Sequence, residues 1–469
     1  MKPFAASAIE ACRSALACLV EGNVDRAEEI VGEALSHHPD DPNLLYVAGN
    51  CALVRADDAR ARQFYERSSA VAPAFPAPLC NLGYLHRRNH RLEEARTVLR
   101  ACVELDPANA PAWQNLTSTH VNEGEPARGE AVAREALRHC PDDSNIRWNL
   151  ALVLLEQGLW REGWEHYRVR FDTPVVKRPS YASAGNGPRR LVSPDQLAAG
   201  DTVAVHGEQG LGDEILFAGM LGEFLQATAG RGAAVVLDCH PRLRNVFAEN
   251  FSTAFATARA PAACDWLVPI GDLGGFHRND DRDFPQRRGY LSVDRAKVAE
   301  VRRQLAAHAR GRPLVGIAWS GGSDLTHARY RRIPLEDWLP VLRQDACFVS
   351  LEYRDCADEI AAFEARHGIA IVNLPELTRH PDYRETFALV AAIDMVVTVP
   401  TSVVHVAGAL GRRCLVVMHH RAAWRECSRD GGLPWYPQTH RRFLREPADA
   451  DWSRAIAAAA GCLAGLLPG

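Results

Sequence analysis

A glycine-rich segment carries the acidic side chain best placed to do chemistry. It reads His-Gly-Glu-Gln-Gly-Leu-Gly-Asp-Glu over residues 206–214 and follows a β-branched run. Its glycines let the backbone turn sharply and let a ligand approach closely. Asp213 stands at the start of the following helical stretch, where the helix dipole keeps a carboxylate ionised and able to accept a proton from a hydroxyl. The alternative is that Asp213 only caps the helix.

A second segment, residues 399–411, offers hydroxyls and free backbone N–H groups at one point. A strand leads into Pro400-Thr401-Ser402, and a helix of small residues starts there. Such a helix N-terminus is suited to bind a diphosphate. His405 lies one turn later, where its ring would reach a phosphate or a sugar. The alternative for His405 is a buried structural histidine.

A group of cations follows a strand that ends at Trp319 and a flexible Ser-Gly-Gly-Ser loop at 320–323. Its members are His327, Arg329, Arg331 and Arg332. Cations on a mobile loop beside a phosphate site can neutralise a leaving nucleotide. The alternative is a solvated surface run.

The elements that must position these residues are alternating strands and helices. Short β-branched runs at 202–206, 233–238, 314–319, 347–351, 369–373, 395–399 and 414–418 alternate with helical stretches. This alternation predicts parallel βαβ units. The runs fall into two Rossmann-like halves, predicted at 200–310 and 311–469, that face a cleft. A stretch rich in proline and glycine, 173–199, is the predicted linker before them.

The front of the chain has a different pattern, a strict 34-residue period. Asn-Leu pairs recur at 81, 115 and 149, and prolines recur at 39, 73, 107 and 141. Small residues recur at 27, 61, 95 and 129, where two helices of a pair must approach closely. The period and the helix-turn-helix pattern resemble tetratricopeptide repeats. The predicted repeat domain is 1–172, and its last unit ends in an aromatic group that is expected to cap the stack against the next domain.

The periodic asparagines are candidate acceptor-binding residues. Asn81, Asn115 and Asn149 lie on the first helix of each pair, which lines the concave side of such repeats, so their amides can pair with a guest backbone. The arrangement resembles the asparagine ladder of the protein O-GlcNAc transferases. The alternative is that each asparagine bonds inside its repeat.

Composition limits the remaining possibilities. The net charge of −4 gives no reason to expect nucleic acid as a partner. The 13 cysteines are scattered with no metal-ligand spacing, so neither a zinc site nor a disulfide framework is predicted, and reduced thiols indicate a cytoplasmic protein. No metal or cofactor is expected, and a nucleotide sugar would be a co-substrate. Residues 455–467 are apolar but too short to span a bilayer, which takes about 20 residues. They predict a terminal packing helix, with no stable membrane insertion.

The order of the motifs in the second half resembles the ADP-heptose:lipopolysaccharide heptosyltransferase family and its TPR-fused relatives. The matching stretches are 207–213, 315–319, 394–411 and Leu-Pro-Trp-Tyr-Pro at 433–437. The resemblance implies a GT-B fold and inverting, metal-independent sugar transfer. It implies Asp213 as the base and Thr401, Ser402 and His405 as ligands of the donor diphosphate. The full predicted nucleotide-sugar site comprises Gly210, Gly212, Trp319, Ser320, Arg331, Arg332, Thr401, Ser402 and His405.

Two positions depart from the family pattern. Relatives carry Asp-Thr where this chain has Pro400-Thr401, and Asp-Ser where it has Gly432-Leu433. The missing acids leave the sugar and the nucleotide open. The segment 419–425, His-His-Arg-Ala-Ala-Trp-Arg, gives the hypothesis of an anionic donor such as a nonulosonic acid sugar nucleotide.

The sequence as a whole, a helical TPR solenoid followed by an α/β GT-B fold, predicts a protein O-glycosyltransferase. Sugar would pass from a nucleotide sugar to Ser or Thr hydroxyls of a protein docked on the repeats, and flagellin is an acceptor that the resemblance implies. One alternative is a lipopolysaccharide or capsule glycosyltransferase. The other is a non-catalytic interaction scaffold with a degenerate transferase domain.

Overall fold

The chain folds into two compact units, Met1–Val153 and Leu154–Gly469. The computed structural model describes residues 7–174, 176–177, 179, 187–256, 260–322, 330–420, 424–426, 433–446 and 449–468. Helices make up the first unit, and the second contains two sheets with helices around them.

The first unit consists of antiparallel helix pairs that follow the 34-residue period. Its helices are α1 (Ala8–Val20), α2 (Val24–His37), α3 (Pro42–Val54), α4 (Asp58–Val71), α5 (Pro76–Arg88), α6 (Leu92–Leu105), α7 (Ala110–Asn122), α8 (Pro126–His139) and α9 (Ser144–Glu156), the last of which crosses into the second unit. The periodic prolines each lie two residues after the end of a second helix, where a missing N–H costs nothing. The predicted break between repeats is therefore confirmed.

The small residues of the period lie where the paired helices touch. Ala27, Ala61 and Ala95 are fully buried. A Cβ built on Gly83 would lie 2.3 Å from Leu99 Cγ, so this position admits no side chain. Burial of these rows against the neighbouring helix supplies the core of each repeat.

The turn inside each pair repeats a left-handed backbone that the sequence period did not reveal. Gly22 and Gly124 have φ of 78°, and Ala56 and His90 have φ of 61° at the equivalent positions. Glycine adopts this conformation without strain, whereas alanine and histidine do so at a cost. The turn signal is therefore visible in only part of the repeats.

The second unit contains the remaining helices and every strand that the structure describes. Its helices are α10 (Trp160–Tyr167), α11 (Leu211–Ala218), α12 (Leu221–Ala229), α13 (Arg244–Asn250), α14 (Leu273–His277), α15 (Arg295–Ala309), α16 (Leu339–Leu342), α17 (Ala357–His367), α18 (Pro375–Thr378), α19 (Arg384–Ala392), α20 (Ser402–Ala409) and α21 (Ser453–Ala464). Its strands are β1 (Arg189–Arg190), β2 (Thr202–His206), β3 (Ala234–Asp238), β4 (Ala254–Phe255), β5 (Trp266–Pro269), β6 (Leu314–Ala318), β7 (Cys347–Ser350), β8 (Ile371–Val372), β9 (Met395–Thr398), β10 (Arg413–His419) and β11 (His440–Arg445).

Both sheets are wholly parallel in the pairs that the structure describes. The first sheet has the order β1-β5-β2-β3-β4, and the second has the order β11-β10-β9-β6-β7-β8. Strand β6 is buried along its whole length, as expected for a central parallel strand covered on both faces. All seven predicted strands are present, so the parallel βαβ architecture is confirmed.

Four strands are absent from the prediction. β1 lies inside the predicted linker and pairs with β5, because two arginines show no strand pattern but still form an edge. β5 lies inside the first sheet, between β1 and β2, yet its four residues, Trp266–Pro269, lack a β-branched run. β4 has two residues, and β11 carries arginines at the sheet edge. Pairing partners, which are distant in sequence, create these strands.

Helix α10 holds the aromatic residues that end the predicted repeat domain, but its contacts lie within the second unit. The indole of Trp160 donates to Asp281 Oδ1 at 2.6 Å, and that of Trp164 donates to the Arg278 carbonyl at 2.7 Å. Trp160 also packs on Phe284 with ring centres 4.8 Å apart. These contacts explain why the compact boundary lies near residue 154 although the repeat pattern continues to 172.

The last helix, α21, packs into the second sheet's core as the apolar run 455–467 predicts. Ile456, Ala459 and Leu463 are fully buried in one cluster with Trp338 and Val417. Among the described residues, no helix is long and apolar enough to cross a membrane.

Candidate functional site

The candidate site lies where the strand order of each sheet reverses. In the second sheet, β6 and β9 are neighbours, and the chain winds outward from them in both directions. The segment after β6 reaches Gly321, and the segment after β9 reaches Thr401, whose methyl would lie 2.6 Å from a Cβ on Gly321. The carboxyl ends of parallel strands leave a ligand crevice at such a point.

The first sheet has an equivalent crossing between β2 and β5. After β2, the Glu208 carboxylate turns back and accepts the backbone N–H of Gly271, which follows β5, at 2.9 Å. Gln209 next to it takes a left-handed backbone with φ of 67° and donates to the Tyr167 hydroxyl at 2.6 Å. The glycine-rich turn is therefore held by side chains that sequence reasoning did not single out.

A buried ionic network fixes this turn. Arg170 is completely buried and donates through Nε to Glu208 at 2.7 Å and through Nη1 to Asp272 at 2.8 Å. Asp272 also accepts two bonds of 2.9 Å from Arg190, which is part of β1. Burial alone would lower the pKa of the Arg170 guanidinium, but Glu208 and Asp272 raise it, so the guanidinium stays charged.

Asp213 lies in the first turn of α11, with 21% of its side chain exposed. The N-cap position belongs to Gly210, so Asp213 does not cap the helix. Its Oδ1 forms an ion pair with Arg425 Nε. Burial raises the pKa of Asp213, Arg425 and Arg331 oppose the rise, and Glu208 adds to it. This carboxylate is therefore more basic than an ordinary surface aspartate.

Arg425 is the cation nearest to Asp213, and it belongs to the segment 419–425 that suggested an anionic donor. Its Nη2 donates to Gln209 Oε1 at 2.7 Å, and its guanidinium lies over the Trp424 ring, 4.7 Å from the centre. Gln209 and Arg425 are 216 positions apart. No local pattern indicates such a pairing.

A second buried acid, Glu426, lies beside the same cations. Its side chain is 3% exposed, and its Oε2 has no hydrogen-bond partner among the described residues. Burial raises the pKa of Glu426, while Arg331 and Arg425 oppose the rise. The site thus contains an acid near Asp213 even though the two family acids are missing. Sequence reasoning did not identify Glu426.

Helix α11 follows strand β2 of the first sheet, and helix α20 follows strand β9 of the second. The N-termini of these two helices meet at Gly212. A Cβ on Gly212 would lie 3.0 Å from His405 Cδ2 and 3.4 Å from Ser402 Cα. A side chain at this position would be in tight contact with His405, and the glycine lets the two helices approach and brings Asp213 and the second predicted motif to one place. The structure therefore unites Gly210, Gly212, Asp213, Ser402 and His405.

Replacing Gly212 by alanine tests this helix contact. We expect Gly212→Ala to lower the free energy of unfolding by about 1–3 kcal/mol, because the new methyl overpacks the His405 ring. Gly222→Ala in α12 is the matched control, since nothing lies within 4 Å of its added Cβ. It should instead gain about 0.5–1 kcal/mol from helix propensity. Equal effects of the two changes in urea denaturation would contradict a close contact at Gly212.

The second motif forms a capped helix N-terminus. The Thr401 hydroxyl accepts the N–H of Val403 at 3.2 Å and so serves as the N-cap of α20. The Ser402 hydroxyl bonds the Tyr383 hydroxyl at 2.8 Å. His405 is 5% exposed, and burial, aided by Arg425, His440 and Arg331, lowers its pKa to about 3. His405 is therefore neutral at physiological pH.

Trp319 and Ser320 are buried, and their polar groups are already bonded. The Trp319 indole donates to Glu359 at 3.0 Å, and its ring is 1% exposed, so it is not available to stack on a base. The Ser320 hydroxyl bonds Glu352 at 2.5 Å and accepts from Arg354 at 2.7 Å. These hydrogen bonds fix Trp319 and Ser320, the first two residues after β6.

Arg331 and Arg332 lie in different environments. Arg331 is half-buried and close enough to Asp213, His405 and Glu426 to lower the pKa of each. Arg332 is exposed and pairs through its backbone with Ser320. His327 and Arg329 lie outside the described residues. Of the two described arginines in this group, Arg331 is the one that lies close to the site.

The three periodic asparagines lie on the first helix of their pairs, as predicted, and are partly buried. Asn81 Nδ2 donates to Asn50 Oδ1 at 2.9 Å and to the Tyr65 hydroxyl at 3.1 Å, so its donor groups are occupied inside the repeats. The neighbouring Cys102 thiol lowers the pKa of the buried Cys80 thiol, burial opposes this, and a hydrogen bond with Asn115 adds to the lowering. Binding of a peptide by these three residues stays a prediction.

One group in the described part of the first unit has ligand atoms close enough for a metal ion. His120, Glu123 and Glu125 offer atoms within 4.8 Å of one another. Arg96 pairs with Glu123 at 3.0 Å and Arg128 with Glu125 at 2.8 Å. These arginines already balance the carboxylates, so the group is explained as an ion-pair cluster.

Comparison with protein families identifies the repeats. Residues 12–75 and 118–169 match a family model described as "Tetratricopeptide repeat", and residues 77–109 match another of the same description. The helical repeats form a tetratricopeptide-repeat solenoid. A solved tetratricopeptide-repeat protein of Thermus thermophilus, TTC0263, is 23% identical, with 35% of this chain and 90% of that chain covered and a TM-score of 0.31.

Curated proteins similar to this chain include one from a bacterium and one from human. Protein FlbA of Caulobacter vibrioides is 28% identical over 422 residues, which cover 78% of this chain and 69% of FlbA. Human Protein O-mannosyl-transferase TMTC3 is 32% identical over 124 residues. That second match covers 25% of this chain and 13% of TMTC3.

Proposed function

We propose that this protein is an inverting glycosyltransferase of GT-B fold that moves a sugar from a nucleotide sugar to Ser or Thr hydroxyls of a protein. The observation that carries the proposal is the meeting of α11 and α20 at Gly212. It places a basic carboxylate, Asp213, next to a helix N-terminus at Ser402. Two arginines, Arg331 and Arg425, lie beside that carboxylate.

In the proposed reaction, the acceptor hydroxyl oxygen attacks the anomeric carbon of the donor sugar. Its proton goes to the carboxylate of Asp213. The bond from the anomeric carbon to the phosphate oxygen breaks, and the nucleotide leaves with the bonding electrons. The N–H groups at the start of α20, together with Arg331, stabilise the negative charge that develops on the leaving group.

Arg425 links donor binding to the base in this proposal. Its ion pair with Asp213 holds the carboxylate until a stronger anion binds. A diphosphate carries more charge than a carboxylate and binds arginine in two-point geometry, so it competes for Arg425. Transfer of Arg425 to the donor would leave Asp213 available to the acceptor hydroxyl.

The repeat solenoid supports a protein acceptor, since repeats of this kind present extended concave surfaces. Asn115 and Asn149 are the proposed contacts to an acceptor backbone, with Asn81 contributing its carbonyl oxygen. The name of the TMTC3 relative, a protein O-mannosyl-transferase, favours the same class of reaction. Resemblance to TPR-fused heptosyltransferase relatives makes flagellin one acceptor to try.

Calorimetry of the full chain against UDP-, GDP-, ADP- and CMP-linked sugars tests the proposal. We expect saturable binding of one nucleotide class. Arg331→Gln should weaken that binding roughly 10- to 100-fold, because a charge-assisted bond contributes about 1.5–3 kcal/mol. Arg303→Gln, an exposed arginine on α15, is the matched control and should bind like the unchanged protein. Absence of binding across the whole panel, charged sugars included, would contradict the enzymatic function.

The second candidate function is a non-catalytic scaffold. The Asp213–Arg425 ion pair favours it, since the arginine occupies the carboxylate oxygen that an acceptor hydroxyl would need. A scaffold would bind protein partners through the repeats and show no nucleotide-sugar binding in the same calorimetric panel. The structure offers no observation that favours a lipopolysaccharide acceptor over a protein.

A further inference from the structure

Three side chains form a line behind the site, of which His405 and Tyr436 are buried and Tyr290 is half-buried. His405 Nδ1 lies 3.2 Å from the Tyr436 hydroxyl, which lies 3.5 Å from the Tyr290 hydroxyl. The Tyr290 hydroxyl in turn donates to the Ile215 carbonyl at 2.6 Å. The line ends on the backbone of α11, the helix that carries Asp213.

The far end of this line has a fixed direction. A carbonyl only accepts hydrogen bonds, so the single hydrogen of the Tyr290 hydroxyl is committed to Ile215. Towards Tyr436, Tyr290 therefore presents only an oxygen lone pair. Tyr436 has one hydrogen to place, either on Tyr290 or on His405 Nδ1.

The first of these placements gives every hydrogen along the line an acceptor. If Tyr436 donates to Tyr290, then His405 carries its hydrogen on Nδ1 and donates to Tyr436. If Tyr436 instead donates to His405, the two phenol oxygens face each other with no hydrogen between them. Buried polar groups without a partner cost free energy. The hydrogen bonds are therefore donated in one direction, from His405 to Tyr436, from Tyr436 to Tyr290 and from Tyr290 to the Ile215 carbonyl.

The surroundings hold these side chains in place. The Tyr436 ring lies on Gly408 so closely that a Cβ there would be 2.3 Å from it, and His440 packs on the same ring at 4.6 Å between centres. The Tyr290 ring similarly lies 3.2 Å from a Cβ on Gly219. Burial raises the pKa of both phenols, so both keep their hydrogen at physiological pH.

The other ring nitrogen of His405 is turned to the site. The ring edge with Cδ2 and Nε2 lies against Gly212, with Nε2 3.7 Å from a Cβ built there. No described residue forms a hydrogen bond with Nε2. With the hydrogen on Nδ1, this nitrogen carries a bare lone pair.

We infer that Tyr436 and Tyr290 are positioning residues that fix His405 in its Nδ1–H tautomer, so that Nε2 accepts a hydrogen bond from a hydroxyl of the donor sugar. This inference rests on the proposed function for the identity of the ligand. A lone pair repels a fully ionised phosphate, which has no hydrogen to donate, so His405 does not bind the diphosphate. The family resemblance implies that His405 binds the diphosphate, and this inference assigns it to a sugar hydroxyl instead.

The tautomer is measurable without any substrate. In the full chain with ¹⁵N-labelled histidine, two-bond ¹H–¹⁵N spectra distinguish a protonated ring nitrogen from a bare one, and His405→Gln assigns the signal. We expect Nδ1 to be protonated. In Tyr290→Phe, the Tyr436 hydrogen is released to His405, so the signal should switch to the Nε2–H pattern although Tyr290 does not touch His405. Tyr46→Phe in the repeats is the control and should leave the pattern unchanged.

Ligand binding tests the second half of the inference. His405→Ala should weaken binding of the matching UDP-, ADP-, GDP- or CMP-linked sugar roughly tenfold and leave binding of the free nucleotide unchanged. Tyr290→Phe should show the same selective loss. Equal weakening of sugar nucleotide and free nucleotide would assign His405 to the phosphates instead.

Different results would overturn the tautomer assignment and the proposed function. An Nε2–H pattern in the unchanged protein, or no switch in Tyr290→Phe, overturns the tautomer assignment even if nucleotide sugars bind. Absence of any nucleotide-sugar binding removes the proposed function and the sugar contact together, while the spectra still decide the tautomer.

Discussion

Asp213→Asn should lower the rate of sugar transfer by roughly 10²–10⁴-fold, the contribution of a positioned general base. The amide keeps the shape of the side chain but cannot take the acceptor's proton. Donor binding should persist, since Arg425 is released from its ion pair and stays available to the diphosphate. The measurement is the rate of transfer to an acceptor peptide beside calorimetric donor affinity.

The pH dependence of kcat/KM is a second test of Asp213 as the base. Burial raises the pKa of Asp213 above the usual aspartate range, so the fraction of charged base falls as the pH drops through that higher value. We therefore expect kcat/KM to decline on the acid side at a pH above the ordinary aspartate pKa. Asp345→Asn, on an exposed residue, is the matched control. An acid limb that persists unchanged in Asp213→Asn would assign the base to another residue.

Arg170→Met should reduce the free energy of unfolding of the second unit by about 3–5 kcal/mol. Methionine fills a similar volume but leaves Glu208 uncompensated in a fully buried place and removes one of the two partners of Asp272. The glycine-rich turn depends on Glu208, so donor affinity should fall as well. Tryptophan fluorescence during urea denaturation follows the loss, because Trp160 and Trp164 lie in this unit.

A double variant separates the buried charge from simple loss of packing. Arg170→Met combined with Glu208→Gln removes the uncompensated carboxylate and should recover part of the lost stability. Arg343→Met, an exposed arginine, should change the midpoint little. If Glu208→Gln lowers the free energy of unfolding of Arg170→Met as much as it lowers that of the unchanged protein, the two residues do not act as a coupled unit.

Local patterns were sufficient for most of the architecture. The 34-residue period predicted the helix pairs, since proline and small residues act on the chain within a few positions. The β-branched runs predicted seven strands, and their alternation with helices predicted parallel sheets. Glycines followed by Asp213 and the Pro-Thr-Ser turn were recognised because a strand-to-helix turn has a local composition.

Other elements carried no local signal. β1 consists of two arginines inside a proline- and glycine-rich stretch, and only its pairing with β5 makes it a strand. Helix α10 continues the repeat pattern, but Trp160 and Trp164 contact residues more than 100 positions away. Trp319 was predicted as a ligand-binding residue at a strand end, but its side chain is buried in the core of the second sheet.

The sequence by itself determined the repeat solenoid, the two sets of parallel strands and the two motifs at strand ends, because each follows from spacing and backbone chemistry over short distances. The tertiary structure alone decided what faces those motifs. It paired Asp213 with Arg425, buried Arg170 between Glu208 and Asp272, and aligned Tyr290 and Tyr436 behind His405. These contacts depend on strand order and on the close approach of two helices at Gly212, and no property of a local segment specifies either one.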